Sequence, residues 1–202
     1  MKKSLHVGCG PKHKDQTLPA FNSSAWQEVR FDVDEAVASD IVGTMTNMSQ
    51  VPTGSMDAVF SSHNVEHLYP HEVPVALREF SRVLNTDGVA IITCPDLKSV
   101  AALIAEDKLN DPAYVSPAGP ITPVDILFGY RASMASGNLY MAHHVGFTQK
   151  TLASALSEAG FGSVLTIQRP QKFDLWAVAM KRQASTEDLR RCARGYLNVS
   201  LK

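Results

Sequence analysis

The chain has 202 residues, is 45% hydrophobic and carries a formal net charge of −1. That is enough apolar material for one domain with a substantial core, and the charge balance argues against a nucleic-acid binder, which shows a basic excess or stripe. Its 3 cysteines (Cys9, Cys94 and Cys192) stand far apart without a CxxC pair, and Met1-Lys2-Lys3 leads into a short apolar run followed at once by glycines. This pattern fits a reducing compartment better than a disulfide framework and shows no leader-peptide signal, and no apolar stretch nears the roughly 18 residues of a membrane helix, so a cytoplasmic protein is expected.

Taken in chain order, strand-like runs alternate with helix-like ones. "SLHVG" (4–8) is the first strand and runs into a turn, "GCGP". Residues 11–26 follow with no helical apolar stripe. "EVRFDVD" (28–34) is a second strand ending in acids, and "DIVGTM" (40–45) a weaker third. "MDAVFSS" (56–62) is the fourth. The next segment, 71–84, places Val75, Leu77, Phe80, Val83 and Leu84 at helical spacing, with Pro74 in the first turn where proline is tolerated. "GVAIITCP" (88–95) is almost continuously apolar, as a strand buried on both faces should be. A helix is expected over 97–109. Another is expected over 148–161, capped by Thr148 and stopped at Gly160. "GSVLTIQRP" (162–170) and "DLWAVAMKR" (174–182) are joined by "QKF", which makes them antiparallel neighbours.

This alternation predicts an α/β fold with a mostly parallel sheet, a C-terminal antiparallel hairpin and a reduced first helix. One domain over residues 1–182 is expected, with a cap insertion at 110–145 and a helical tail at 183–202. The cap is rich in Pro, Gly, Ser and Met; an irregular insertion of that length is usually functional or disordered. Arg190, Arg191, Arg194 and Lys202 near the end are offset by Glu187 and Asp188 and read as a solvated helix face.

In a sheet of this kind, ligands lie beyond the carboxyl ends of the strands at the switch point. Asp32 falls about twenty residues past the glycine turn, where an acid accepts hydrogen bonds from ribose hydroxyls. Gly8 and Gly10 allow close backbone approach, and together with Asp32 they favour a nucleotide-like ligand. Cys9 between them reads as small-residue packing.

In this order the motifs "LHVGCG", "RFDVDE", "MTNMSQVPTGSMDAVFSSHNVEHL", "ALREFSRVLNTDGVAIITCPD" and "FTQKTLASALSEAGF" resemble the class I S-adenosylmethionine-dependent methyltransferases, methyltransferase type 11-like. The resemblance covers roughly residues 4–104 and 146–181. It implies a Rossmann-like, seven-stranded sheet ending in that hairpin, and S-adenosylmethionine as cofactor, with Gly8 and Gly10 along its methionine portion. Asp32 would bind the ribose hydroxyls and Val33 would pack near the adenine, which Met45, Thr46 and Asn47 would flank. Ser61, Ser62 and His63 would face the methionine end and the substrate. The third glycine of the first motif is missing, because Pro11-Lys12-His13 follows Gly10. A sulfonium cofactor has no phosphate for a helix N-terminus to hold, so this gap counts against a nicotinamide dinucleotide more than against S-adenosylmethionine.

His63, at the end of the fourth strand, is the candidate catalytic base. Glu66 and His67 either orient the loop or meet the substrate. Tyr130, Arg131 and His144, with Tyr140 and His143, form either a substrate-facing wall or a plain surface cap. His63, His67 and His71 recur at intervals of four with Glu66 nearby, but Pro70 interrupts a shared helix and no metal site is expected. The expected activity is methyl transfer from S-adenosylmethionine to a small-molecule or glycan-type acceptor, with no nucleic-acid or membrane partner. A catalytically inactive S-adenosylmethionine-binding regulatory module is the alternative, and a nicotinamide-dependent oxidoreductase a more distant one.

Overall fold

A computed structural model of the chain describes residues 1–197. The main strands are β1 (Lys2–Val7), β2 (Trp26–Asp32), β3 (Ile41–Val42), β4 (Met56–Ser62) and β5 (Leu84–Pro95). Helix α1 (Val73–Val83) lies between β4 and β5, and α2 (Leu97–Ala105) follows β5. The segment 110–145 contains a small hairpin, β6 (Tyr114–Ser116) with β7 (Gly119–Ile121), then the short helices α3 (Pro123–Phe128) and α4 (Arg131–Ala135). Helix α5 (Gln149–Glu158), β8 (Ser163–Arg169), β9 (Asp174–Met180) and α6 (Thr186–Leu197) complete the described chain. Residues 198–202 of the expected tail, including Lys202, lie outside the described residues.

Seven strands form one sheet in the order β3-β2-β1-β4-β5-β9-β8. The first five pair in parallel, with Leu5 beside Val29 on one side and Val59 on the other. Strand β9 runs antiparallel to both β5 and β8, as the short "QKF" link requires. The strand order reverses between β1 and β4, and the carboxyl ends of both open onto the same edge. That edge is the switch point where such sheets hold ligands.

Side-chain alternation sends Leu5, Val7, Val59, Ala90, Ile92, Ala177 and Ala179 to one face, against Leu77 and Phe80 of α1 and Leu152 and Leu156 of α5. Ala58, Phe60, Ile91, Val178 and Met180 point to the other, against Leu18, Phe21, Trp26 and Leu189 and Ala193 of α6. No α-helix joins β1 to β2; two single 3-10 turns, Lys14–Gln16 and Pro19–Phe21, take its place. Helix α6 covers part of the face left open. The Tyr196 ring lies 5.4 Å from Phe21 and 6.3 Å from Trp26. Arg190, Arg191 and Arg194 sit on its exposed side.

Strands β1, β2, β8 and β9 lie within two residues of their expected bounds, and β3 and β5 depart further. Strand β3 is only 2 residues long. Asn47 N–H donates to Thr44 O at 3.0 Å, and this turn carries the chain away from the sheet edge. Strand β5 begins at Leu84 rather than Gly88, because Leu84 pairs with Met56 across a register shift. Among the described residues, no helix is long and apolar enough to cross a membrane.

Candidate active site at the strand ends

The turn after β1 has positive φ at Gly8 (+62°) and Gly10 (+50°). The two glycines serve different ends. A Cβ on Gly8 would lie 2.0 Å from Asn64 Oδ1, whereas one on Gly10 would meet nothing within 4 Å. Asn64 fills the space over Gly8 because its Nδ2 donates to Val7 O at 3.0 Å and Ser62 O at 3.1 Å. Only Gly10 leaves open room for a ligand.

The loop is held from β2. Arg30 is buried and donates to Gly10 O at 2.6 Å, Lys12 O at 3.2 Å and Ala38 O at 3.1 Å. Two residues on, along the same face of the strand, Asp32 Oδ2 accepts Gly10 N–H at 2.8 Å and Oδ1 accepts Asp34 N–H at 3.0 Å. A carboxylate has about four acceptor positions, so two remain for hydroxyl donors. Arg30 thus takes the loop's carbonyls and Asp32 its amide. This clamp replaces the bracing that a helix after the turn would give. Sequence reasoning missed Arg30; the available signal was a charged residue two positions before Asp32 in an otherwise buried strand. Val33, just beyond, is an exposed apolar residue. Burial pushes the Cys9 thiol up to about 11, in keeping with a packing role.

The adenine-side residues divide. Met45 packs partly into the core, while Thr46 and Asn47 border a surface hollow with Val75, Arg78, Glu79 and Arg82. None of the strand-end residues named above lines that hollow.

At the end of β4, Ser61 is buried, and the Ser62 hydroxyl bonds the Thr93 hydroxyl at 2.9 Å. His63 adopts φ +55°, an uncommon conformation for a residue with a side chain, and its N–H donates to Thr93 O at 2.9 Å. Its Nδ1 lies 3.2 Å from Glu66 Oε1, so Nδ1 carries the proton and Nε2 is left free. The His63 side chain is 47% exposed; crowding by its neighbours opposes a charge on the imidazole, but the hydrogen bond and charge of Glu66 outweigh it and hold His63 above its ordinary value. Burial likewise opposes ionisation of Glu66, and His63 outweighs it, so this carboxyl sits below its ordinary value.

Glu66 is fully enclosed, and among the described residues its Oε2 has no hydrogen-bond partner. Its backbone oxygen accepts His144 N–H at 2.9 Å and Val145 N–H at 3.3 Å, which ties residues 143–145 to the end of β4. A cavity of about 460 Å³ opens here, walled by His63, Glu66, His67, Tyr130, His143 and Asp174 and roofed by the β6–β7 hairpin. His67 Nδ1 lies 3.0 Å from Ala142 O and His143 Nδ1 lies 2.8 Å from Ile126 O.

The expected substrate residues are therefore only partly brought together. Glu66, His67 and Tyr130 share this cavity with His63. Arg131 instead pairs with Asp125 at 2.8 Å. Burial works against a charged Asp125, but Arg131 and Thr122 hold it well below the usual carboxylate range. His144 stacks on Tyr69 at 4.2 Å and lines a larger cleft of about 890 Å³ with Asp34 and Tyr140. His71 stacks on Tyr69, away from His67. His143, named with the possible substrate-facing wall, lines this cavity too, and so does Asp174, which the sequence reading does not name and which no local pattern reveals.

A family model described as a methyltransferase domain matches residues 5–92. No curated protein matches the chain. Among solved structures, a SAM-dependent methyltransferase from Archaeoglobus fulgidus is 16% identical with a TM-score of 0.58, covering 89% of this chain and 86% of that one. A SAM-dependent methyltransferase from Methanosarcina mazei is 15% identical with a TM-score of 0.58, covering 90% and 93%. The 1,6-didemethyltoxoflavin-N1-methyltransferase of Burkholderia thailandensis, solved with 1,6-didemethyltoxoflavin and S-adenosylhomocysteine, is 14% identical with a TM-score of 0.54, covering 90% and 71%. At these identities the structural likeness speaks for the fold, whose order β3-β2-β1-β4-β5-β9-β8 ends in an antiparallel pair. Over β1 to β5 the chain is thus similar to the methyltransferase-domain family, and in fold it is similar to S-adenosylmethionine-dependent methyltransferases.

Proposed function

We propose that this chain transfers a methyl group from S-adenosylmethionine to a small molecule seated in the 460 Å³ cavity beside β4. The observation that carries the reading is the His63–Glu66 pair. It stands at the switch-point edge, on the wall of a cavity of ligand size, with one imidazole nitrogen free. Gly10 and Asp32 hold the cofactor's methionine and ribose portions, Gly8 and Val33 border them, and Ser61 and Ser62 shape the floor between cofactor and acceptor. Met45, Thr46 and Asn47 stay assigned to the adenine side. Residues 1–182 form the catalytic unit, and 110–145 close over the acceptor.

The cofactor supplies an activated methyl on a sulfonium. The acceptor heteroatom forms its bond to that methyl carbon as the carbon–sulfur bond breaks, and the electron pair stays on sulfur. His63 Nε2 takes the acceptor's proton, while Glu66 steadies the imidazolium through Nδ1–H. Holding the heteroatom in line supplies most of the remaining effect.

A small-molecule acceptor fits the cavity's size, and the Burkholderia thailandensis relative was solved with a small molecule. A module that binds without turnover has less in its favour. Its sequence support is the missing third glycine and the reduced first helix, and the Arg30–Asp32 clamp holds the turn without them.

The test is release of S-adenosylhomocysteine with a panel of phenols, thiols and amines. His63→Asn keeps a residue type that tolerates positive φ. The variant is expected to lower turnover about 10²–10⁴-fold with cofactor binding retained. Turnover equal to the parent chain's would remove His63 from the mechanism.

A further inference from the structure

Glu66, His67 and His143 each offer one ligand-type atom, and these atoms lie within 4.8 Å of one another. The two histidines are oriented alike. Each turns Nδ1 to a backbone carbonyl, His67 to Ala142 O and His143 to Ile126 O. A carbonyl only accepts, so both Nδ1 atoms carry the proton and both Nε2 lone pairs are free. Metal-ligating histidines are oriented in this way by an outer partner on the second nitrogen. Their rings stand 4.9 Å apart, in the edge-on contact of two side chains converging on one place.

Glu66 provides a second, independent sign. His63 engages Oε1, but Oε2 is enclosed and has no hydrogen-bond partner among the described residues. A buried carboxylate oxygen left unpaired is costly. A cation would remove that cost, and the two imidazoles grouped with this carboxylate are suited to share it.

We propose that Glu66, His67 and His143 bind one divalent transition-metal ion, zinc on the chemistry of the donor set. Two imidazoles and one carboxylate make a three-ligand set of the kind that leaves a fourth position open. Here that position faces the 460 Å³ cavity. It takes the acceptor's hydroxyl, thiol or amine, orients it, and lowers its pKa so that the proton leaves more readily to His63 or solvent. The role of the open position rests on the proposed methyl transfer; the binding of the ion does not. The site also differs from the pattern visible in the sequence: His71 plays no part, and His143 arrives from the far side of the cap.

The test uses the full chain, stripped with a chelator and titrated with Zn²⁺ by calorimetry, with Co²⁺ as a visible-absorption probe. One ion per chain is expected, with an intense Co²⁺ band from a low-coordinate site. His67→Asn and His143→Asn, on separate segments, are each expected to weaken Zn²⁺ binding about 100-fold or more, since losing even an outer partner costs roughly 10–100-fold. His71→Asn should bind like the parent chain. S-adenosylmethionine binding is measured on the same samples. Zn²⁺ binding that depends on His67 and His143 upholds the site even where the cofactor fails to bind, an outcome that would sink the methyl-transfer reading alone. Cofactor binding without Zn²⁺ binding, or Zn²⁺ binding unchanged in both variants, overturns the site.

Discussion

Gly8 and Gly10 look equivalent in the sequence and are not equivalent in the fold. Gly8 combines φ +62° with an Asn64 Oδ1 only 2.0 Å from where a Cβ would sit. Gly8→Ala therefore meets both a left-handed backbone cost and a collision with a hydrogen-bonded side chain, together about 2–4 kcal/mol. Gly10→Ala meets only the backbone cost, about 1–2 kcal/mol. Urea unfolding of the two variants measures the difference; equal losses would mean that Asn64 yields freely and does not lock the turn. At this scale the sequence revealed that the turn was special without revealing why. The pair "GCG" announced a close backbone approach, but Asn64 and Arg30 act on it from other segments, and nothing local marks such partners. His143 is the same case: its neighbours in sequence say nothing of Glu66 and His67.

At the scale of elements, the first crossover is the main departure from an ordinary strand–helix–strand unit. Its place is held by a polar layer. His6 Nδ1 bonds Glu28 Oε1 at 2.9 Å, Lys14 N–H donates to Glu28 Oε2 at 2.9 Å, and Lys14 Nζ donates to Trp26 O at 2.8 Å. His13 also approaches Glu28, at 3.8 Å, and the Phe60 ring lies 5.4 Å from His6. Burial draws the His6 imidazole below its ordinary value, Glu28 resists, and Arg30 and Lys12 add to the downward pull. The unfolded chain takes up this proton near pH 6.5, the folded chain only at lower pH. The stability that neutral His6 contributes is thus present above about pH 6.5 and is lost as the pH falls through the lowered folded value. Thermal unfolding from pH 7 to pH 5 should show a smaller loss for His6→Gln than for the parent chain; parallel curves would contradict this. The absence of a helix stripe over residues 11–26 was legible, because periodicity is a local property. The polar layer was not, since Glu28 and His6 meet only after the strands pair. Helices with strong local signals, such as α5 with its Thr148 cap, appear where their sequence puts them.

For the whole molecule, the fold was the most legible property. Alternating runs and the short "QKF" link sufficed for a mostly parallel sheet closed by an antiparallel hairpin, because crossover rules leave few other topologies. The substrate side was the least legible. The segment 110–145 has weak periodicity, and its course is fixed by long-range bonds such as Glu66 O with His144 and Val145 N–H. Residues adjacent in sequence consequently face different spaces, His143 the 460 Å³ cavity and His144 the 890 Å³ cleft. What unites the molecule is the strand-end edge, which carries the Arg30–Asp32 clamp at β2 and the His63–Glu66 pair beyond β4, with the proposed cofactor site between them. Calorimetric titration of the chain with S-adenosylmethionine tests this most directly. Saturable binding at one cofactor per chain is expected, weakened roughly 10–100-fold in Asp32→Ala through lost charged hydrogen bonds. An absence of binding up to about 1 mM cofactor, or equal affinity in Asp32→Ala, would contradict it.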